Sequence, residues 1–584
     1  MRKCRSLLRE MRQQPAALEI RIAILGGSTT NEVVDFLELL LLEQGIRPAF
    51  HHSEYNKYFE ESVLDPSALT KFRPDLVIIY TSSVNIQSFP PLEASEADLE
   101  AHVAAEHTRF AAIWNSLQSA AGCLVIQNNF ELPDDRLLGN LDCVHPGGRA
   151  RFINQLNEEF AREASSRPRL LINDLNSIAA RVGLANFHDA RRWFRYKLIC
   201  SPQSTLEIAK SLAAIITSTY GRSRKCLVLD LDNTLWGGVI GDDGPDRIRI
   251  GKETPEAEAY TAFQQYCLRL RERGILLAAC SKNSEAIARQ GFEHPDSILK
   301  LGHFSCFKVN WEPKHENVKA IAAELNIGLD SLVFVDDNPA ERAIVAAQLP
   351  MVAVPEVGSE VADFARILEQ GRYFEPVSVS AEDLERASQY ESNARRALEQ
   401  AQFSSYGEYL DSLNMSAEIA PFRAVYMERI AQLINKTNQF NLTTRRYTLA
   451  EVEKIAADPD YVTLYGRLSD KFGDNGLISV VIGRGEGRTL HLDVWLMSCR
   501  VLKRDMELAM LDSLVAACHQ KNITEIYGYY IPTQKNELVR EHYQNLGFEL
   551  LEDDARGGSV WKLKLSGGYS VRNTHIQVKE LVHG

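Results

Sequence analysis

The sequence has no closely spaced cysteine pair, no long apolar run and no excess of basic residues. Its ten cysteines are scattered without a C-x-x-C pair, which argues against a zinc ribbon or a thioredoxin-type site. The longest apolar stretch, FLELLLLEQG, is interrupted by glutamates and is too short to span a bilayer. A net charge of −13 argues against a nucleic-acid-binding surface. No apolar segment follows the basic N-terminus, so we expect no signal peptide, free thiols, a cytoplasmic location and no membrane or nucleic-acid partner.

What the chain does contain is three segments with different patterns of strands and helices. A length of 584 residues suggests three or four domains. Residues 1–220 alternate apolar strands such as IRIAILG and PDLVIIY with helical patterns, which predicts a parallel, doubly wound α/β sheet. Residues 221–374 repeat this alternation independently. Residues 375–584 combine helices with strands such as GLISVVIG and TLHLDVWLM, which predicts a separate α+β domain with antiparallel strands.

Short polar stretches follow the apolar strands of the middle segment. They contribute Asp230 and Asp232 in DLDNT, Ser281 in CSKN, Lys314 in WEPKHEN, and Asp336 and Asp337 in VFVDDNP. The ends of parallel strands meet at one edge of a sheet, so we expect these side chains to share a site.

These residue types suit phosphoryl transfer. One carboxylate can attack phosphorus, and a second can donate a proton to the leaving group and later activate water. Two further acids offer the hard oxygen ligands that Mg²⁺ prefers, and a hydroxyl and a lysine can neutralise the phosphate oxygens. A lone D-x-D is more often a strand-end cap or a surface turn. All four stretches in this order favour the phosphoryl interpretation.

The stretches DLDNTLWGGVIGDDG, CSKN, NWEPKHEN and FVDDNPAER resemble the haloacid dehalogenase (HAD) superfamily, in its FkbH-like subfamily IIIC. The resemblance covers about residues 225–355. It implies that Asp230 is the nucleophile, Asp232 the acid/base, and Ser281 and Lys314 the phosphate ligands. It also implies a Mg²⁺ site to which Asp230, Asp232 (through its backbone carbonyl), Asp336 and Asp337 contribute.

The spacing between the strands leaves no room for a separate cap domain. WGGVIGDDG is therefore expected to form the only flap over the site. An uncapped site excludes water poorly by itself, but it can admit a large phosphorylated partner such as a carrier protein.

Cys280, directly before Ser281, has two interpretations. It is either a small buried residue or a thiol that accepts an acyl group from an acyl phosphate. Strand alternation sends Cys280 and Ser281 to opposite faces unless the strand ends at Ala279. FkbH-like enzymes of polyketide pathways resemble this chain and are thought to transfer glyceryl groups from 1,3-bisphosphoglycerate, through a cysteine, to an acyl carrier protein.

The resemblance thus implies a Mg²⁺-dependent HAD-type phosphatase and acyltransferase with an acyl carrier protein as partner. A phosphatase acting on a sugar or nucleotide-sugar phosphate in polysaccharide assembly is the alternative. A third possibility is a non-catalytic assembly protein, and the intact set of acids argues against it. If Cys280 is not the cysteine that accepts the acyl group, Cys306 and Cys499 are the next thiols to consider.

The first segment places Ser28 in ILGGSTTNEVV, where it is either a nucleophile or a helix N-cap. HSEYNKYFEESVLDP, VIQNNFELP and NFHDARRWFRYK resemble an SGNH-hydrolase-like domain. The residues before Ser28 are Gly26 and Gly27 instead of Gly-Asp, and His188 and Asp189 are adjacent instead of forming Asp-x-x-His. This departure favours a binding or scaffolding module over a hydrolase.

The third segment resembles a GNAT-like (acetyltransferase-fold) domain through INKTNQFNLTTRRYT, DKFGDNGLISVVIG and YQNLGFEL. Residues 500–505 stand where a coenzyme A pyrophosphate turn is expected. Lys503 replaces a glycine there and Asp505 adds negative charge, so coenzyme A binding is not expected. Lys503 and Arg504 either meet a carrier protein or form a solvated basic turn.

The polar run 435–443 surrounds Phe440. It is either a loop that satisfies its own backbone or a device that positions an acyl group. The expected fold class is thus α/β: an SGNH-like α/β domain, an uncapped HAD-like parallel sheet and a GNAT-like α+β domain.

Overall fold

The computed structural model describes residues 2–579 except 15, 17, 168, 401, 499–500, 534, 555–556 and 566–567. Cys499, named above as a candidate thiol, and Arg500, the first residue of the stretch 500–505, therefore lie outside the described residues. The chain divides into two compact units, residues 1–217 and 218–584. The three sheets each fall within one of the three predicted segments, and the boundaries of those segments remain a prediction.

The first unit is built on a five-stranded sheet in the order β2-β1-β3-β4-β5. Its strands are β1 Leu18–Gly26, β2 Ile46–His52, β3 Leu76–Tyr80, β4 Leu124–Asn128 and β5 Leu170–Asn173. Its helices are α1 Arg2–Met11, α2 Asn31–Glu43, α3 Ser67–Phe72, α4 Glu96–Ala121, α5 Arg149–Ser166, α6 Leu175–Val182, α7 Leu184–Phe187, α8 Ala190–Tyr196 and α9 Pro202–Thr219. Every pairing is parallel. The strand order reverses beside β1, as in doubly wound folds, so the predicted architecture is confirmed.

The second unit begins with a four-stranded parallel sheet in the order β8-β7-β6-β9. Its strands are β6 Cys226–Leu229, β7 Leu276–Ser281, β8 Cys306–Val309 and β9 Leu332–Val335. Its helices are α10 Ile240–Asp243, α11 Pro255–Glu272, α12 Glu285–Gly291, α13 Lys314–Glu324, α14 Pro339–Gln348 and α15 Phe364–Gly371. Residues 230–305 are all described, and they contain only short helices and α11 between the strands. The sheet is therefore uncapped, as expected.

An eight-stranded mixed sheet follows, in the order β15-β16-β14-β13-β12-β11-β10-β17. Its strands are β10 Met415–Ala420, β11 Tyr461–Asp470, β12 Gly473–Glu486, β13 Thr489–Met497, β14 Glu525–Tyr530, β15 Glu549–Asp553, β16 Ser559–Lys564 and β17 Ile576–Val578. Its helices are α16 Ala381–Leu384, α17 Arg386–Gln400, α18 Tyr406–Ser412, α19 Met427–Lys436, α20 Leu449–Ala457, α21 Met506–Gln520 and α22 His542–Asn545. Most neighbouring strands are antiparallel, which confirms the predicted α+β pattern.

Strands β13 and β14 pair over only three residues before they diverge. The gap between them is filled by residues 440–442. The Leu442 amide donates to Trp495 O at 3.1 Å, and the Ile531 amide donates to Leu442 O at 2.9 Å. Asn441 accepts from the Thr444 amide at 2.9 Å and donates to Thr437 O at 3.2 Å. These bonds support the loop interpretation of the polar run.

Across the described residues, no helix is long and apolar enough to cross a membrane.

Candidate active site

The predicted site residues meet at the carboxyl edge of the four-stranded sheet. Asp230 follows β6, Ser281 is the last residue of β7, Lys314 begins α13, and Asp336 follows β9. All four are at most 6% exposed. A parallel sheet brings the ends of its strands to this edge, so residues about a hundred positions apart in sequence lie in contact.

Lys314 is the cation at the centre of the site. Its Nζ lies 2.9 Å from Asp230 Oδ2 and 2.5 Å from Asp336 Oδ2. Burial alone would lower the pKa of Lys314, but the two carboxylates outweigh it and the pKa is raised. The two carboxylates therefore favour the charged form of the amine.

Asp230, Asp336 and Asp337 form a carboxylate group suited to a metal ion. One oxygen of each lies within 4.8 Å of the others. Burial, and after it the charge of Asp230, raises the pKa values of Asp336 and Asp337. Asp230 Oδ1 is buried and has no hydrogen-bond partner within the described residues. An orphaned carboxylate oxygen beside two more hard donors fits Mg²⁺, which the residues present could hold.

Asp232 is oriented by three donors. Trp236 Nε1 and the Ile240 amide donate to its Oδ1 at 2.8 and 3.1 Å, and Asn283 Nδ2 donates to its Oδ2 at 2.9 Å. Burial raises the pKa of Asp232, and the Asp230 charge adds to this, while the Ile240 and Trp236 hydrogen bonds oppose it. The side chain of Asp232 is not part of the group of three carboxylates that could hold a metal ion.

The flap predicted from WGGVIGDDG is folded onto the site. The Gly237 amide donates to Arg249 O at 3.0 Å, and the Arg249 amide donates to Gly237 O at 2.8 Å. Helix α10 lies between these two positions, and its first residue, Ile240, supplies the amide that reaches Asp232. The flap therefore orients the predicted acid/base.

Three residues at the site were missed by sequence reasoning. Asn283 and Trp236 bind Asp232, as described above. The third is Arg342, which is 4% exposed and donates to the backbone oxygens of Asp336 and Asp337 at 2.7 and 2.8 Å. Each of the three lies within a motif already noted, in CSKN, TLWGG and NPAER, and that neighbourhood was the available signal.

Cys280 lies on the other face of the sheet from Ser281, where its Sγ donates to the backbone oxygen of Lys314 at 3.7 Å. Strand β7 continues through Ser281 and does not end at Ala279, so Cys280 points to the opposite face of the sheet from Ser281. It is fully buried in an apolar cluster with Val228 and Cys306, and burial raises the pKa of its thiol. Cys280 could reach the site only if the strand ended at Ala279, and it does not. In this conformation the thiol is therefore not placed to accept an acyl group. Cys306 is buried as well, which raises its pKa to about 12.

The hydroxyl of Ser28, in the first unit, is not a helix cap. Helix α2 begins at Asn31 and its N-cap position is Thr30, so that alternative is wrong. Ser28 Oγ is buried, and within the described residues it has no hydrogen-bond partner. His188 Nε2 instead lies 2.9 Å from Leu132 O, and Asp189 caps α8. The two therefore do not form a catalytic pair with Ser28.

Arg504 does not belong to a solvated basic turn. It is 5% exposed, and it donates to Asp470 Oδ2 at 3.0 Å and to Asn393 Oδ1 at 2.7 Å. Of Lys503 and Arg504, for which contact with a carrier protein was one of two alternatives, only Lys503 is exposed.

Taken together, an uncapped parallel sheet with clustered aspartates and a buried lysine at its carboxyl edge is the arrangement of a HAD-type phosphatase domain. Comparison with known proteins agrees. The N-terminal part of the protein BF1531 from Bacteroides fragilis, which contains a phosphatase domain and was crystallised with Mg, is 30% identical. The match covers 64% of this chain and 99% of that one, with a TM-score of 0.59.

Residues 21–217 match the family model described as the FkbH N-terminal domain. The chain belongs to the FkbH family. A ribosomal-protein-S18-alanine N-acetyltransferase from Escherichia coli is similar over 27% of this chain and 99% of its own, at 10% identity and a TM-score of 0.21. Ard1 from Thermoplasma volcanium is similar over 26% and 97%, at 13% identity and a TM-score of 0.21. No curated protein matches the chain.

Proposed function

We propose that residues 221–374 form a Mg²⁺-dependent phosphatase in which Asp230 attacks phosphorus. The observation that carries this proposal is Asp230 itself, with one oxygen on Lys314 and the other buried without a partner in the described part of the chain. A carboxylate held in this way keeps one oxygen for an electrophile or a cation. The Mg-bound phosphatase domain from Bacteroides fragilis supports the choice of metal.

The other residues have roles that follow from their contacts. Lys314 neutralises charge on the phosphate oxygens and Ser281 donates a hydrogen bond to them, while Asp230 bonds to phosphorus and the bond from phosphorus to the leaving oxygen breaks. Burial raises the pKa of Asp232, which favours its protonated form. In this proposal Asp232 donates a proton to the leaving oxygen and then accepts one from the attacking water. Mg²⁺ held by Asp336, Asp337 and Asp230 would supply charge compensation.

The test is phosphate release from p-nitrophenyl phosphate with Mg²⁺ and with EDTA. Asp230→Asn should lose roughly a thousandfold or more in kcat, because it removes the nucleophile. Asp242→Asn, at an exposed position of the flap, is the matched control and should keep its activity. Wild-type turnover in Asp230→Asn, or full activity in EDTA, would contradict the proposal.

We further propose that the substrate is an acyl phosphate such as 1,3-bisphosphoglycerate, and that the acyl group passes to an acyl carrier protein. The FkbH resemblance and the uncapped edge of the sheet support this. Because Cys280 is buried, the acceptor that fits this conformation is the carrier's own thiol. The sulfur would bond to the carbonyl carbon, the bond from that carbon to the phosphate oxygen would break, and phosphate would leave with the thiol proton.

Attack at phosphorus and attack at carbon can be separated with [¹⁸O]water. Attack by Asp230 on phosphorus, followed by water, places ¹⁸O in the released phosphate and frees the acid. Transfer to the carrier gives a thioester and unlabelled phosphate. We expect the thioester when the holo carrier protein is present, also with Cys280→Ala. Labelled phosphate alone would refute the transfer and leave the phosphatase in place. Faster hydrolysis of a sugar phosphate without carrier acylation would favour the alternative substrate.

A further inference from the structure

One tryptophan of the HAD-type domain is left in solvent beside the candidate active site. Trp311 is 74% exposed, whereas Trp114, Trp236 and Trp495 are at most 1% exposed. Tryptophan is usually largely buried, because its side chain carries a large apolar surface. The exposure of Trp311 therefore leaves that surface available to a molecule that comes from solution.

Trp311 lies at the carboxyl edge of the four-stranded sheet, in the loop between β8 and α13. Strand β8 ends at Val309, and α13 begins at Lys314. The amide of Asn310, the residue before Trp311, donates to Ser281 O at 3.1 Å. Trp311 is thus the neighbour in sequence of a residue bonded to Ser281, and it precedes Lys314 by three positions. Both of these residues hold phosphate in the function proposed above.

The backbone of this loop is fixed by hydrogen bonds around Trp311. The side chains of Asn310 and Asn317 donate to each other through Nδ2, at 3.2 and 2.8 Å. The Glu312 amide donates to Asn310 Oδ1 at 3.0 Å. These bonds hold the backbone before and after Trp311, while its ring stays in solvent. A side chain presented by an ordered loop loses less conformational entropy when it binds a ligand.

A second exposed apolar side chain, Val239, lies on the flap that follows β6. It is 39% exposed, and the next residue, Ile240, supplies the amide that donates to Asp232. Strand β7, which ends at Ser281, lies between β6 and β8. Neighbouring strands lie about 4.8 Å apart, so the ends of β6 and β8 are about 10 Å apart. Val239 and Trp311 thus come from segments on the two sides of Ser281, and we call these two residues the rim.

The organic part of a phosphate substrate would extend past the rim. In the proposed phosphatase, Asp232 donates a proton to the leaving oxygen. Asp232 accepts from the amide that follows Val239, so the leaving group begins next to the flap. Because no cap domain covers the sheet, this group extends toward solvent. A ring or an extended chain at this place would cover part of Trp311 and remove apolar surface from water.

We propose that Trp311, with Val239 on the flap, binds the organic part of the molecule whose phosphate lies in the site, and that it selects a flat or extended apolar segment. This inference deepens the proposed function and rests on it for the position of the phosphate. A compact polyol offers the ring little apolar surface and gains less from the contact. In the acyl transfer proposed above, the group of this character is the phosphopantetheine arm of the carrier protein, which approaches the acyl phosphate past the same rim.

The first test compares two substrates that differ in the group attached to phosphate. Hydrolysis is measured with Mg²⁺ for p-nitrophenyl phosphate, which carries an aromatic ring, and for acetyl phosphate, which carries a short acyl group. Trp311→Ala should raise the KM for p-nitrophenyl phosphate about fivefold or more, and should leave its kcat and the KM for acetyl phosphate within about twofold of wild type. Trp311→Phe keeps an aromatic ring, so it should recover most of the loss.

The matched control is Met351→Ala. Met351 is 43% exposed, and its backbone oxygen accepts from Arg224, which precedes β6, so it lies at the opposite edge of the sheet. Both KM values of Met351→Ala should equal those of wild type. If Trp311→Ala changes neither KM, or changes both by the same factor, the inference is overturned and the phosphatase stays in place.

A binding measurement separates the inference from the proposed activity. Phenylphosphonate and methylphosphonate are not hydrolysed, and they are titrated calorimetrically into the full chain with Mg²⁺. Wild type should bind phenylphosphonate about fivefold or more tightly than methylphosphonate, and Trp311→Ala should bind the two about equally. The comparison needs no phosphate release, so an inactive wild type would contradict the proposed phosphatase alone. The same ratio of affinities in wild type and Trp311→Ala, or no binding of either phosphonate, would overturn the inference.

Discussion

Replacing Lys314 by methionine should make the folding of the HAD-class domain depend on Mg²⁺. The substitution removes the cation between Asp230 and Asp336 and keeps a side chain of similar length. The three clustered acids have oxygens within 4.8 Å of one another. Two unit charges at about that distance, at an effective dielectric constant of about 20, repel by about 3 kcal/mol. Protonation of one acid limits the total repulsion among the three carboxylates. We therefore expect Lys314→Met in EDTA to lose about 3 kcal/mol of its free energy of unfolding.

The assay is thermal unfolding of the whole chain in EDTA and in excess Mg²⁺. For a domain of this size, a loss of about 3 kcal/mol lowers Tm by roughly 6–12 °C. Mg²⁺ restores positive charge at the same place, so it should recover most of that loss in Lys314→Met and raise the wild-type Tm less. Lys319→Met, on the same helix but exposed, should follow the wild type. The reasoning is refuted if Lys314→Met in EDTA unfolds at the wild-type temperature.

Three further predictions concern single side chains. Asn283→Ala should lower kcat about 10- to 100-fold with little change in KM, because a hydrogen bond to an ionised group contributes about 1.5–3 kcal/mol; unchanged steady-state kinetics would show that Asp232 does not need this donor. Iodoacetamide should label the exposed Cys143 of the native chain well before the buried Cys280, as peptide mapping would show, and Cys280→Ala should keep its phosphate release. Burial lowers the pKa of His542 from 6.5 to about 3. Between about pH 6.5 and pH 3 the unfolded chain therefore binds a proton that the folded chain does not. As the pH is lowered through this range, the free energy of unfolding should decrease by up to about 1.4 kcal/mol per pH unit. When the free energy of unfolding is measured by urea titration at several pH values, His542→Phe should decrease its dependence on pH. The same pH dependence in His542→Phe and wild type would show that His542 is not its cause.

The positions of the acids and the lysine could be predicted because the signals are local. Asp230 and Asp336 each follow a run of four apolar strand residues, and parallel strands bring such positions together whatever the details of packing. The placement of Cys280 on the face opposite Ser281 follows from strand alternation, once the strand is known to include Ser281. The end of that strand could not be fixed from sequence.

The contacts that orient the site could not be predicted in the same way. Asn283 reaches Asp232 across 51 positions of sequence, and no local pattern records that pairing. Arg504 shows the same limit, since its partner Asp470 lies 34 positions upstream on another element. The alternative that Ser28 caps α2 was wrong for a local reason. The turn after β1 is two residues longer than a cap at Ser28 requires, so Thr30 precedes the helix.

The order of the site residues along the chain has a consequence for synthesis on the ribosome. Strand β6, in the interior of its sheet, leaves the ribosome first, and its neighbour β9 follows only about a hundred residues later. The sheet cannot close around Asp230 until then. Lys314 precedes Asp336 and Asp337, so the neutralising cation is already present when the last two negative charges arrive. A nascent chain therefore never has to bring all the acids together without their counter-charge, whatever the concentration of free Mg²⁺ around it.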